Sequence, residues 1–219
     1  MKLGFGGEMM SDFCSRLGTV LRNRTCDIEN ESDYSTSAVV VPLVRHHGRL
    51  GVLFEVRSAG LNWQPGDICF PGGRIELDDA SPMEAAVRET CEELGLPSSA
   101  IEVLGPLSYM VSPIGVMLYP FAAYIKDYDL IRPNNGEVAE VFVVPLDYLI
   151  NCEPLTAHME LATRPLPDFP LELLENSYAK DWKRRTTYPV LFYQYDGHVI
   201  WGLTARVLFG FLNICRSLK

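Results

Sequence analysis

Glu89, Glu92 and Glu93 recur at spacing i, i+3, i+4. On an α-helix those positions share one face. Carboxylates held side by side repel, and each raises its neighbours' pKa values. A face like that is well tolerated when a cation sits on it, and an all-oxygen donor set suits a hard divalent ion, Mg²⁺ or Mn²⁺. Such an ion acts as a Lewis acid and lowers the pKa of a bound water. Arg88 precedes Glu89 and lies i, i+4 from Glu92. It can pair with a carboxylate and orient it without displacing the metal. The plainer alternative is a solvated amphipathic helix with an acidic outer face. That alternative accounts neither for Gly72-Gly73 just upstream nor for the order Arg-Glu-x-x-Glu-Glu-x-Gly.

The helix that must carry these residues is well specified. Ser81 suits the N-cap, Pro82 the first helical position and Glu84 the acid of a capping box. Gly95 suits the left-handed residue that ends the helix. Met83, Val87, Cys91 and Leu94 form an apolar stripe roughly opposite Glu89. The expectation is a helix that buries this stripe and presents its carboxylates on the other side.

Gly73 together with Arg88-Glu-Thr-Cys-Glu-Glu-Leu-Gly-Leu96 resembles the Nudix box. That box is a glycine, then a glutamate, then Arg-Glu-aliphatic-x-Glu-Glu-x-Gly-aliphatic. The chain departs from it in that Asp79 stands at the first glutamate, the gap to Arg88 is one residue longer, and Thr90 replaces an aliphatic residue. The longer gap is a feature of the coenzyme A pyrophosphatase branch. Leu53-Phe-Glu-Val-Arg-Ser-Ala-Gly-Leu-Asn-Trp-Gln-Pro-Gly-Asp-Ile-Cys-Phe-Pro-Gly-Gly73 is similar to that branch's signature. It keeps Arg57, Ser58, Leu61, Gly66 and the Phe70-Pro-Gly-Gly run, but has Asn62 in place of an arginine and Gln64 in place of a histidine. Glu137 to Leu146 resembles the branch's strand entering a Val-Pro-Leu corner, and Ile200 to Leu208 the start of its last helix. The likeness runs from about residue 36 to about residue 214.

This resemblance implies an α/β/α sandwich, a mixed β-sheet between helices. It also implies Mg²⁺- or Mn²⁺-dependent hydrolysis of a pyrophosphate linkage. The implied metal donors are the Gly73 carbonyl, Glu89, Glu92 and Glu93, with Glu89 a candidate base. The implied catalytic set is Glu89, Arg88 and Glu93. A further acid from a separate loop joins such sites, and Glu137, just after the Asn134-Asn-Gly136 turn, is the candidate; a solvated strand-end glutamate is the equal alternative. Asp79 is expected to hold the turn or cap the helix. In the coenzyme A reading the products are 3′,5′-ADP and (acyl-)4′-phosphopantetheine, and Arg57 and Asn62 lie near the substrate. Trp63 is either a stacking surface for a base or a tryptophan with no ligand role. Tyr109 and Phe121 are expected in the core. Two other functions stay open: hydrolysis of ADP-ribose or another nucleoside diphosphate derivative, and a non-catalytic nucleotide-binding module on the same fold.

Composition narrows the partners. The chain has 219 residues, 47% of them hydrophobic, and a net charge of −9. It is long enough for one domain with a substantial core. The expected division is a single domain over 1–219, with an N-terminal helix and loop over 1–35 and a catalytic core over 36–219. The acidic balance argues against nucleic acid, where Lys and Arg must neutralise phosphates. It leaves room for a small nucleotide whose charge a metal ion meets, and Arg45, Arg49 and Arg57 add local positive charge around the second strand. The six cysteines, Cys14, Cys26, Cys69, Cys91, Cys152 and Cys215, contain no C-x-x-C pair. They read as reduced core residues of a cytoplasmic protein. No apolar run reaches the length of a membrane helix, and no secretory leader is expected behind Lys2. A homodimer is compatible with the sequence but nothing in it specifies one.

Along the chain, residues 9–24 read as a helix and 27–36 as a polar loop. Ser37–Val44 and Leu50–Arg57 read as a hairpin around Arg45-His-His-Gly-Arg49, with His46 and His47 at its surface. Further strands are expected over Ile101–Met110, Tyr119–Ile125 and Glu137–Val144, with loops at Val111–Val116 and Arg132–Gly136. Tyr188–Tyr195 and His198–Trp201 flank the turn Asp196-Gly197, and Leu203–Cys215 reads as an amphipathic helix. Residues 151–184 hold four prolines and show no sustained period.

Overall fold

The valine- and leucine-rich runs either side of His47-Gly48 pair as an antiparallel hairpin in the computed structural model, which describes residues 7–25, 28–174 and 181–218. The strands are β1 (Ser35–His46) and β2 (Arg49–Arg57). Both turn residues have positive φ, 48° at His47 and 75° at Gly48. That is the backbone a two-residue hairpin turn requires. His47 is exposed, and the His46 ring lies between those of His47 and Tyr128.

The pairing of β1 with β2 runs from His46↔Arg49 to Leu43↔Val52. Beyond that point the strands splay, and the chain around Phe70-Pro-Gly-Gly73 fills the gap. β3 (Ile68–Cys69) pairs with β2 at Glu55↔Cys69, and β4 (Gly72–Arg74) pairs with β1 at Val39↔Gly72 through Ser37↔Arg74. Between them the Val40 N–H donates to the Pro71 carbonyl at 2.9 Å. A Cβ on Gly72 would lie 2.3 Å from the Ala38 carbonyl oxygen, so only glycine lets the wedge come this close.

The other edge of β1 carries β7 (Val116–Ile125) in parallel register. β5 (Ile101–Pro106) and β6 (Met110–Val111) lie antiparallel on β7, and β8 (Val138–Pro145) lies antiparallel on β2. The sheet is therefore mixed. Alternate residues feed two cores, as the period of a strand dictates. Ala38, Val40, Leu53, Ala123 and Ile125 join Ala85, Ala86 and Leu94 of α2 (Pro82–Leu94) on one face. Val41, Val52, Phe54 and Ala122 join Leu149 of α3 (Leu146–Asn151) and Val207, Leu208, Phe211 and Leu212 of α4 (Gly202–Arg216) on the other. The expected α/β/α sandwich follows from this arrangement. A second sheet, β9 (Leu155–Thr163), β10 (Lys183–Tyr195) and β11 (His198–Trp201), lies on the α4 side. Its β10–β11 turn has the same left-handed pair, Asp196 and Gly197.

All of this lies in one compact unit, residues 34–219. Residues 1–33 form the other. That unit holds a helix over Gly7–Arg22, which places Phe13, Leu17, Val20 and Leu21 at helical spacing, and a short turn at Glu31–Asp33.

The structure corrects the sequence reading at several points. Ile101–Met110 is not continuous: the strand bulges between Val103 and Gly105, stops at Pro106 and resumes at Met110. β7 begins at Val116, inside the expected loop, because the Ser112–Gly115 turn closes with a Val116 carbonyl–Ser112 N–H bond of 2.7 Å. The unassigned stretch 151–184 contains β9 and the start of β10. Tyr109 is exposed rather than core, whereas Phe121 packs against the α2-side core. Cys14 is also exposed; Cys69, Cys91, Cys152 and Cys215 are partly buried, all five are free, and Cys26 lies outside the described residues. Among the described residues no helix is long and apolar enough to cross a membrane.

Candidate active site

Helix α2 is capped as its sequence specifies. The Ser81 hydroxyl accepts from the Glu84 N–H at 3.2 Å, and the Glu84 carboxylate accepts from Ala80 N–H at 2.9 Å. At the other end Gly95 sits at φ 62° and Leu96 N–H bonds back to Cys91 O at 3.0 Å. The buried face, however, is not the one expected. It consists of Ala85, Ala86, Thr90, Glu93 and Leu94, with Val87 and Cys91 at its margin and Met83 exposed. The helix is turned so that its carboxylates meet the sheet wedge instead of facing away from it. Thr90 tolerates burial because its hydroxyl donates to Ala86 O at 2.7 Å.

This turn gives the three glutamates different surroundings. Glu93 is 5% exposed and accepts from the Gly72 N–H at 2.7 Å. Glu89 lies against Gly73 so closely that a Cβ there would sit 2.4 Å from its carboxyl carbon. Glu92 is the outermost, its side chain 57% exposed. The glycine pair thus has two distinct jobs: Gly72 donates to one carboxylate and Gly73 leaves space for another.

Arg88 ties this end of the helix to the preceding loop. Its guanidinium forms a fork on Asp79, with both bonds 3.0 Å, and reaches Glu89 at 2.9 Å. Glu92 is farther, at 3.6 Å. Asp79 also accepts from Glu76 N–H at 2.8 Å. The aspartate therefore holds the turn and the arginine, and the Arg88 hydrogen bonds keep its pKa below the usual carboxylate range.

Glu137 follows a turn bonded to the C-terminal end of the helix and is exposed. The Arg132–Gly136 turn straps onto the C-terminal end of α2: Arg132 N–H donates to Leu94 O and Asn134 N–H to Glu93 O, both at 2.8 Å. The Glu137 carbonyl then accepts from Ser58 N–H at 2.7 Å, beside Arg57 at the end of β2. Arg57 donates to Trp63 O at 3.3 Å and holds the loop that follows β2. Asn62, Trp63 and Gln64 are exposed on that loop, and Gln64 has φ 49°.

One member of this neighbourhood was not singled out from the sequence. Glu55, on β2, is 1% exposed. It accepts from the Cys69 thiol at 3.2 Å, and its other oxygen is buried without a hydrogen-bond partner. The signal available was an acid inside the apolar run Val52-Leu-Phe-Glu-Val56.

Electrostatics bind these residues into one group. Burial is the main cause that raises the Glu93 pKa, followed by the charge of Glu55, with Glu89 and Glu137 adding to it. Glu55 is raised by burial first and by Glu137 in addition, against the Cys69 bond and Arg57. Glu89 is raised by burial and by Glu92 and Glu137, with Arg88 opposing. A divalent cation at this site would offset these repulsions. Among the described residues no three His, Cys, Asp or Glu side chains form a ready-made cage. Mg²⁺ does not ask for one: it keeps several waters and takes one or two carboxylates plus substrate phosphate. The orphaned Glu55 oxygen, the Gly73 cleft and the all-oxygen donors fit such an ion.

Known proteins give this geometry a lineage. A mouse (Mus musculus) protein named peroxisomal coenzyme A diphosphatase is 33% identical over 157 residues, 70% of this chain and 66% of its own length. Nudix hydrolase 3 of Caenorhabditis elegans is 32% identical over 157 residues, 69% of this chain and 65% of its own. The alignments thus span just under two thirds of those two relatives. An uncharacterized Nudix hydrolase, NudL, of Shigella sonnei is 30% identical over 201 residues, 91% of each chain. The NUDIX domain description matches residues 34–166, which includes the wedge, α2 and the Glu137 strap, and the chain belongs to the Nudix family.

Proposed function

We propose that this chain hydrolyses the pyrophosphate bond of coenzyme A or an acyl-coenzyme A, yielding 3′,5′-ADP and (acyl-)4′-phosphopantetheine. The observation that carries hydrolysis is the meeting of Glu89 and Glu93 with the Gly72-Gly73 wedge. The substrate rests on the Phe70-Pro-Gly-Gly signature and on the name of the mouse relative. Residues 34–219 carry the activity in this reading, with a divalent ion, Mg²⁺ or Mn²⁺, as cofactor.

The Gly73 carbonyl, Glu89, Glu92, Glu93 and Glu137 would hold the metal. When bound it supplies Lewis acidity toward the phosphoryl oxygens and a lowered water pKa. The chain's own residues do the rest. Glu89, with its pKa raised by burial, stands ready to take a proton from the attacking water. Arg88 fixes the Glu89 carboxylate and, through its Asp79 fork, the approach to the helix. Arg57, which donates to Trp63 O of the signature loop, is the charged group that would meet a substrate phosphate.

Asn62 and Gln64 favour a second reading, hydrolysis of ADP-ribose or a related compound. Neither neutral side chain can grip the 3′-phosphate as an arginine does. The test compares kcat/KM for coenzyme A, dephospho-coenzyme A and ADP-ribose, in the wild type and in Asn62→Arg. The proposal expects coenzyme A to be cleaved with a modest preference over the dephospho form, and Asn62→Arg to raise that preference. Cleavage of ADP-ribose alone supports the second reading.

A further inference from the structure

We infer that Glu55 is an additional ligand of the divalent metal, supplied by strand β2 rather than by helix α2 or the Glu137 strap. Glu55 faces the α2 side of the sheet, as Leu53 two residues earlier does. It is almost wholly buried, and its backbone is paired on both sides, with Cys69 of β3 and Val141 of β8. The side chain is therefore fixed on rigid elements and cannot swing out to water.

Its hydrogen bonding is incomplete in either protonation state. As a carboxylate it has about four lone-pair sites to satisfy. It receives one weak donor, the Cys69 thiol on Oε1, and nothing on Oε2. As a carboxylic acid it could give its proton only to the Cys69 sulfur, a weak acceptor 3.2 Å from Oε1, and Oε2 would still have no partner. Its charged neighbours repeat the conflict: Glu93 and Glu137 repel it and Arg57 offsets them in part. A threonine or glutamine would accept from Cys69 without bringing charge into the core. A divalent cation held by Glu55 and Glu93 would satisfy the orphaned oxygen and offset the repulsion. Oxygen-only donation suits Mg²⁺ or Mn²⁺.

The inference rests on reading Glu93 as a metal ligand, so both residues are tested side by side. Mn²⁺ binding to the full chain is measured by electron paramagnetic resonance and calorimetry, with no substrate present. The variants are Glu55→Gln, Glu55→Met and Glu93→Gln, each checked for native circular dichroism. Glu55→Gln keeps the shape and the Cys69 bond; Glu55→Met is the fallback if the first does not fold. The expected result is Mn²⁺ affinity lowered about ten- to a hundredfold in the Glu55 variants. Their metal-free melting temperature should equal or exceed the wild type's. Wild-type Mn²⁺ affinity in the Glu55 variants, with Glu93→Gln impaired, overturns the role of Glu55 alone. Wild-type affinity in all three variants overturns the metal assignment of Glu93 as well.

Discussion

Glu93 combines two roles that pull against each other in the metal-free protein. Its bond from Gly72 N–H keeps the wedge against the helix, while burial and the charge of Glu55 oppose its ionisation. Glu93→Gln keeps a hydrogen-bond acceptor and removes the charge. Turnover should fall more than about a hundredfold, and metal-free stability should hold or rise; near-wild-type turnover at saturating Mg²⁺ would contradict the assignment. The same conflict sets a pH dependence. Burial raises Glu55 to about 7 and, together with Glu55, raises Glu93 to about 9, from 4.5 in the unfolded chain. The fold thus favours their neutral forms. Their contribution to stability is fully present below pH 4.5 and is lost as pH rises through the two folded values. Chemical denaturation in chelator should therefore show stability declining from pH 5 toward pH 9, and Mg²⁺ should flatten that decline. A chelated protein that gains stability over this range would be inconsistent with the burial of these acids.

At the scale of elements, the splayed hairpin and the strap are what bring the site together. The helix was legible in full: Ser81, Pro82, Glu84 and Gly95 each do what their types predict. Its rotation was not. The stripe Met83, Val87, Cys91 and Leu94 is the most apolar face, but the core takes the small residues Ala85 and Ala86 together with Leu94 and leaves Met83 exposed. Periodicity reads hydrophobicity, not the distance at which a partner sits. The wedge strands β3 and β4 were hidden for a related reason, since two- and three-residue strands carry no period. In β9 the apolar alternation Leu155, Ala157, Met159, Leu161 was available, yet its partner β10 lies beyond a proline-rich connection and nothing local names it. The strap makes a direct prediction. Gly95 sits at φ 62° with its Cα against Arg132, where a Cβ would lie 2.2 Å from the carbonyl oxygen. Gly95→Ala should destabilise the fold by roughly 1 kcal/mol or more and lower activity by displacing Glu137. Unfolding by urea with parallel rate measurements checks it, and an unchanged midpoint would show that the strap yields freely.

For the whole molecule, a metal that binds only the folded chain would link its binding to folding. A ligand that binds only the folded state stabilises it by about 2.7 kcal/mol at a hundredfold excess over Kd. Mg²⁺ or Mn²⁺ should raise the melting temperature, and Glu93→Gln should blunt the rise; identical curves for the two proteins would count against a metal held by this cluster. The net charge of −9 was readable from composition, and the sandwich from the family resemblance. Glu55 was not, because a lone acid in an apolar strand reveals its neighbours only once β3 and α2 are packed on it. The central claim is metal-dependent cleavage within the pyrophosphate of coenzyme A. Its most direct measurement incubates the full chain with coenzyme A and resolves the products by mass, with Mg²⁺, with Mn²⁺ and with chelator. 3′,5′-ADP and 4′-phosphopantetheine should form in equal amounts with either metal and not at all with chelator. Intact coenzyme A under all three conditions, from a sample that hydrolyses ADP-ribose, would contradict it.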